Sequence, residues 1–204
     1  MAIVEIALSA LTFIWQVLKS WLFTLAVPFI HLETLWIIVP IWLSWFFCEF
    51  FQEKRGTNFG NAISNGVVPF WVGIDWIRQI TTQLRTPEIA FSWGIFGKFA
   101  IAAILMLYGV LIIYLGVKGK EFVKYIGRIR EVTYFLVMFT PFIYGLIKPT
   151  IYYWISIVVF FPLFYFAIEL IDRDTKDSAV VQKDSGEAKP GDPFSAQGGP
   201  LPKF

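Results

Sequence analysis

From Phe99 to Val117 the chain runs for nineteen residues without a charge or a side-chain amide. At 1.5 Å per residue such a helix is about 28 Å long, close to the ~30 Å hydrocarbon thickness of a bilayer. Thr86-Pro87-Glu88 precedes it as a helix start, with a hydroxyl cap, proline in the first turn and an acid near the positive end of the helix dipole. The span is expected over 89–117, with Lys98 snorkelling toward one interface.

The rest of the chain obeys the same solvent. Hydrophobic residues make up 57% and charged residues 16%, so a water-soluble core is the wrong object to look for. The 22 Phe and 9 Trp fit lipid-facing surfaces and interfacial belts. A formal net charge of +2, with no basic run interleaved with aromatics, argues against nucleic acid as a partner. The fold class expected is all-α: a polytopic helical membrane protein with about five transmembrane helices and one interfacial amphipathic helix.

Four further spans are read around the first. Between residues 5 and 29, polar residues recur at Glu5, Ser9, Thr12, Gln16, Lys19 and Thr24, one stripe of a helix. A surface-lying helix normally carries several Lys or Arg on its wet side, and here Lys19 stands alone, so the stripe suits a span that packs on neighbours. Pro28 is expected to close it. The second span, 33–51, contains Pro40 and empties into Glu49, Gln52, Glu53, Lys54 and Arg55, a bilayer boundary. Spans at 132–147 and 150–171 form a hairpin about the turn at Lys148-Pro149.

Between the second and third spans, GTNFGNAISNG reads as a turn or a short capped helix. Residues 68–85 read as the interfacial helix, started by Pro69, with Asp75, Arg78, Gln79, Thr82 and Arg85 on the wet side and Trp71, Ile74, Ile77 and Leu84 on the dry one. The connector 118–131 holds five Lys or Arg against two acids. Residues 1–171 thus form the helical membrane domain. Residues 172–204, mixed in charge and rich in Gly, Ser and Pro, form a flexible polar tail unable to bury enough apolar surface to offset its ordering entropy. Weighing basic residues places connector and tail in the cytoplasm of a multi-pass protein.

Chemistry-bearing residues are sparse. With His31 and Cys48 the sole residues of their types, zinc, haem and copper ligand sets, disulfides and nucleophile–base triads cannot be assembled from this chain, and no cofactor or catalytic residue is assigned. The candidate transport or ion-pair site is Glu49 with Glu53, Lys54 and Arg55, where an acid meets basic residues at a span end. Pro40, Ser44 and Cys48 share one helical side and form a candidate packing face. The function expected is a non-catalytic structural or accessory subunit of a larger membrane complex, with the lipid bilayer and other membrane subunits as partners. The alternative is a small transporter or channel with a path near Ser44, Cys48 and Glu49.

Overall fold

A computed structural model of the chain describes residues 2–52, 57–85 and 92–174, and these are helical with no strand among them. In chain order the helices are α1 (Ala2–Ile30), α2 (Leu35–Phe47), α3 (Phe59–Leu84), α4 (Trp93–Val117), α5 (Val123–Ile126), α6 (Ile129–Ile143) and α7 (Ile151–Asp174). A 3₁₀ turn, Leu32–Thr34, leads into α2, which leaves through a π-helical turn, Cys48–Gln52.

Four helical segments are long and apolar enough to cross a membrane: Val4–Ile30, Leu32–Gln52, Trp93–Val117 and Ile151–Arg173. They coincide with the spans expected at 5–29, 33–51, 89–117 and 150–171, except that 89–91 lie outside the described residues. The chain is an integral, multi-pass membrane protein in contact with lipid. Large apolar side chains such as Ile104, Leu107, Val158 and Phe166 point outward from α4 and α7, as that solvent allows.

The stretch expected to span at 132–147 lies in α6, whose 15 residues give about 22 Å, and in the turn that follows; α6 is shorter than the four long segments. Almost every residue from Ile129 to Ile143 is buried, Phe135 being the exposed exception. Neighbours cover it on most sides: α1, α2, α3 and α7 all pack against it. Tyrosines pin the packing from α6 and from α7: Tyr134 donates to Ile157 O at 2.8 Å, and Tyr153 donates to Met138 O at 2.8 Å. Each buried hydroxyl meets a main-chain carbonyl, which is what makes tyrosine tolerable at this depth.

Residues 68–85 belong to a helix that starts earlier than expected. Asn58 caps it, its Oδ1 accepting from Asn61 N at 2.8 Å, so Pro69 sits in the helix interior and the glycine- and asparagine-rich stretch is helical from Phe59 onward. α3 runs antiparallel along α4, with Ile63 against Gly116, Gly66 against Gly109 and Gly73 against Met106. A Cβ on Gly109 would stand 2.6 Å from Gly66 O, so glycine here sets how closely the two backbones approach. Of the residues read as a wet side, Asp75 is buried and Gln79 half-buried, while Arg78, Thr82 and Arg85 are exposed; Gln83 Nε2 beside them donates to Ile143 O at 2.9 Å. Lys98 Nζ lies 3.1 Å from the same carbonyl and 3.2 Å from Gln83 Oε1, capping the last turn of α6 instead of reaching away from the protein.

Pro28 does not close α1, which continues to Ile30, with His31 N bonded to Val27 O at 2.8 Å. A proline so near the C-terminus costs one hydrogen bond and leaves the remaining ladder intact. α1 meets α7 through Phe13 on Tyr152 and Trp21 on Phe160. Its second half buries Val17, Thr24 and Val27, whereas every residue from Val4 to Trp15 is exposed. The expected tail lies outside the described residues beyond Asp174.

Candidate functional site

The π-helical turn at the end of α2 admits an extra residue per turn, and three consecutive residues, Cys48, Glu49 and Phe50, are buried in it. Glu49 faces the first turn of α6. Arg130 donates from Nε to Glu49 Oε1 at 2.9 Å, and its Nη2 donates to the same oxygen. The opposite edge of the guanidinium takes Glu169 near the end of α7, with Nη1 to Oε2 at 2.7 Å. The Tyr165 ring lies under the guanidinium, 4.8 Å from Cζ to its centroid. One planar cation thus binds the ends of α2, α6 and α7, a task that suits the fixed fork of arginine and not the point charge of lysine.

Burial separates the two carboxylates. The Arg130 and Glu49 side chains are 4% and 7% exposed, while Glu169 is 56% exposed. Removing two full charges from water is costly, so a pair of this kind survives only where hydrogen bonds replace hydration, as the contacts to Arg130 do here. Beside it, Cys48 Sγ lies 3.4 Å from Asn65 Oδ1, and Asn65 Nδ2 donates to Gly127 O at 2.9 Å. These contacts tie the π-helical turn to α3 and to the connector.

A second polar cluster lies at the other end of α6. Arg78 donates to Asp75 Oδ1 from Nε at 3.1 Å and from Nη2 at 2.6 Å, and the Tyr144 hydroxyl donates to Asp75 Oδ2 at 2.6 Å. Trp76 Nε1 donates to Thr140 Oγ1 at 3.1 Å, nearer the middle. Both oxygens of the buried Asp75 are engaged, so the charge within α3 is compensated at its own depth.

Of the residues singled out in the sequence, Glu49 is in the buried cluster, and Glu53, Lys54 and Arg55 lie outside the described residues. Of the helical side shared by Pro40, Ser44 and Cys48, Cys48 is buried, Ser44 half-buried and Pro40 exposed, and the covered side of α2 carries Ile37, Ile38 and Ile41. Sequence reasoning missed Arg130 as the partner of Glu49. The two stand 81 residues apart, and Arg130 reads in sequence as one of several basic residues in a connector. Asp75 and Tyr144 were equally hidden, since their pairing depends on α3 lying along the bundle.

Comparisons with protein-family models, with curated proteins and with solved structures give no match, so the functional reading rests on the geometry of the chain itself.

Proposed function

We propose that this protein is a non-catalytic structural or accessory subunit of a larger membrane complex, and that its partner packs on the first half of α1. One observation carries the reading. From Val4 to Trp15 every residue is exposed, Phe13 alone meeting a ring of α7, and the exposed surface includes Glu5, Ser9 and Thr12. Thr12 Oγ1 turns back to Leu8 O at 2.8 Å, as a hydroxyl does when no other acceptor is at hand. A polar stripe on an apolar helix finds its best environment against another helix, where interhelical hydrogen bonds replace water.

The interior supports the same reading. Glu49 and Arg130 form a clamp between helix ends, and the cluster around Asp75 is separated from it by an apolar stretch that includes Leu136, Met138 and Ile157. A polar path along Ser44, Cys48 and Glu49 would have to break that clamp, which weighs against the transporter alternative.

Orientation belongs to the proposal as well. Ala62 and Asn65 of α3 meet Gly127, whereas Gln83 meets Ile143, so α3 passes from one end of α6 to the other, and we take it to cross the membrane beside α4. The stretch joining Gln52 to Thr57, which carries Lys54 and Arg55, then begins and ends on the same side as the connector. That side holds Lys118, Lys120, Lys124, Arg128, Arg130 and Arg173 as well, and the positive-inside rule puts it in the cytoplasm with the tail.

A photo-reactive amino acid at Thr12 tests the partner reading in native membranes. It is expected to give one discrete crosslinked product, with none from the same probe at Leu107 on the lipid-facing side of α4. Equal, diffuse labelling of lipid from both positions would sink the assignment.

A further inference from the structure

We propose that the groove between the start of α2 and the second half of α3 binds the headgroup of a zwitterionic glycerophospholipid, one whose phosphodiester is joined to an ammonium. Two cavities of about 390 and 350 Å³ adjoin there and share Trp36 and Arg78. Each falls in the ordinary size range of ligand pockets. The first holds Glu33, Gln79 and Tyr144 in addition; the second holds Trp71, Ile74 and Asp75.

The order of chemistries along the groove matches the order of groups in such a lipid. Glu33 and Trp36 lie outermost, on the first turn of a segment whose apolar character begins at Leu32. A carboxylate beside an indole face is a receptor for an ammonium ion. Arg78 stands at the junction of the two cavities. Its Nε and Nη2 are fixed on Asp75, which Tyr144 holds from the other side, and its side chain remains 59% exposed. A guanidinium so oriented keeps N–H donors on Nη1 for a phosphate. Inward of it, Val67, Trp71 and Ile74 are exposed at positions four and three apart on α3, one apolar helix face leading away from Arg78 toward mid-bundle. An acyl chain laid on that face continues from the phosphate site.

Charge bookkeeping selects the headgroup. Asp75 and Arg78 cancel, and Glu33 remains, with His31 Nδ1 at 3.4 Å from its Oε1. A purely anionic headgroup places its phosphate on Arg78 but finds an acid where the zwitterion places its ammonium. Indole rings at Trp36 and Trp71, 71% and 56% exposed, occupy the depth at which tryptophan meets headgroups.

Native mass spectrometry of the full chain in a mild detergent tests this, with equimolar dioleoyl phosphatidylethanolamine, phosphatidylcholine and phosphatidylglycerol offered together. The wild type is expected to retain one zwitterionic lipid with about tenfold preference over phosphatidylglycerol. Arg78→Gln is expected to lower retention of all three about tenfold. Glu33→Gln, at an exposed position that removes no packing, is expected to bring zwitterionic and anionic lipids to parity, so the proposal stays testable even if Arg78→Gln disturbs the fold. Trp93→Leu on α4, outside the groove, is expected to change nothing. Equal retention of phosphatidylglycerol by the wild type, or unchanged selectivity in Glu33→Gln, would overturn the proposal. Displacement of the lipid by an equal concentration of tail-free glycerophosphocholine would overturn the role of the acyl chain and with it the lipid assignment.

Discussion

Arg130 and Glu49 stand 81 residues apart in the chain and in direct contact in the fold, with Arg130 Nε 2.9 Å from Glu49 Oε1 and both side chains almost wholly covered. Because Arg130 opens α6 and Glu49 closes α2, this contact fixes the depth of the central helix against a neighbour that crosses the bilayer.

Removing one member of a buried pair strands the other. Arg130→Leu is therefore expected to destabilise the protein by about 3–5 kcal/mol, whereas Glu169→Gln, whose site is half exposed, is expected to cost less than about 1 kcal/mol. Replacing both Arg130 and Glu49 with apolar residues of similar size is expected to recover most of the loss. Thermal unfolding in detergent, followed by circular dichroism, reads all three; equal effects of Arg130→Leu and Glu169→Gln would contradict the clamp.

At the other end of α6, Tyr144→Phe removes a donor from the buried Asp75 without changing the shape of the side chain. The expected loss is about 1–3 kcal/mol, the cost of leaving a buried acceptor short of a partner. Asp75→Ala combined with Tyr144→Phe is expected to be sub-additive, because each substitution alone removes the bond they share. A full sum of the single effects, read in the same assay, would show that the contact carries no energy.

Close approach of α3 and α4 makes Gly109 intolerant of any side chain. Gly109→Val, which drives a Cβ into Gly66 O and Phe70, is expected to cost about 3 kcal/mol or more. Gly97→Ala, where a Cβ meets nothing within 4 Å, is expected to be neutral or slightly stabilising. Comparable losses from the two substitutions would argue against the antiparallel register.

Cys48 distinguishes a clamp from a water-filled path. Its thiol is buried and lies 3.4 Å from Asn65 Oδ1. Labelling by an aqueous thiol reagent is expected to be slow in native membranes from either side and complete after denaturation. Rapid labelling from both sides, together with solute flux abolished by Glu49→Gln in liposomes, would restore the transporter reading.

Much of the scaffold was legible because the bilayer imposes long runs without charge. Phe99–Val117 and the three other long apolar segments announce themselves by length alone. The run from Val132 to Ile147 is legible as an apolar helix, but that its neighbours cover almost all of it is not, because burial by protein and burial by lipid select the same residues. Asp75 reads as part of a wet face of α3 because Tyr144, its partner across the bundle, lies 69 residues away in sequence, and the contact of Gln83 with the Ile143 carbonyl is equally remote. For the site, Glu49 was legible as a charge at a span end, but its partner was not, since nothing local distinguishes Arg130 from Arg128 in the connector. Of the two readings open for the glycine- and asparagine-rich stretch, turn or short capped helix, the capped helix holds through Asn58, but it runs on into 68–85 instead of stopping short.

Sizing in a native gel tests the subunit claim most directly. Solubilise the native membrane in a mild detergent, and compare the wild type with a Glu5→Leu, Ser9→Leu, Thr12→Leu variant, whose substitutions all fall on exposed positions of α1. The wild type is expected to migrate within a complex several times its own 23.5 kDa, with other membrane proteins identified in the same band, and the variant is expected to run alone while retaining its helical circular dichroism. Migration of the wild type as a single chain, or identical migration of wild type and variant, would contradict the account.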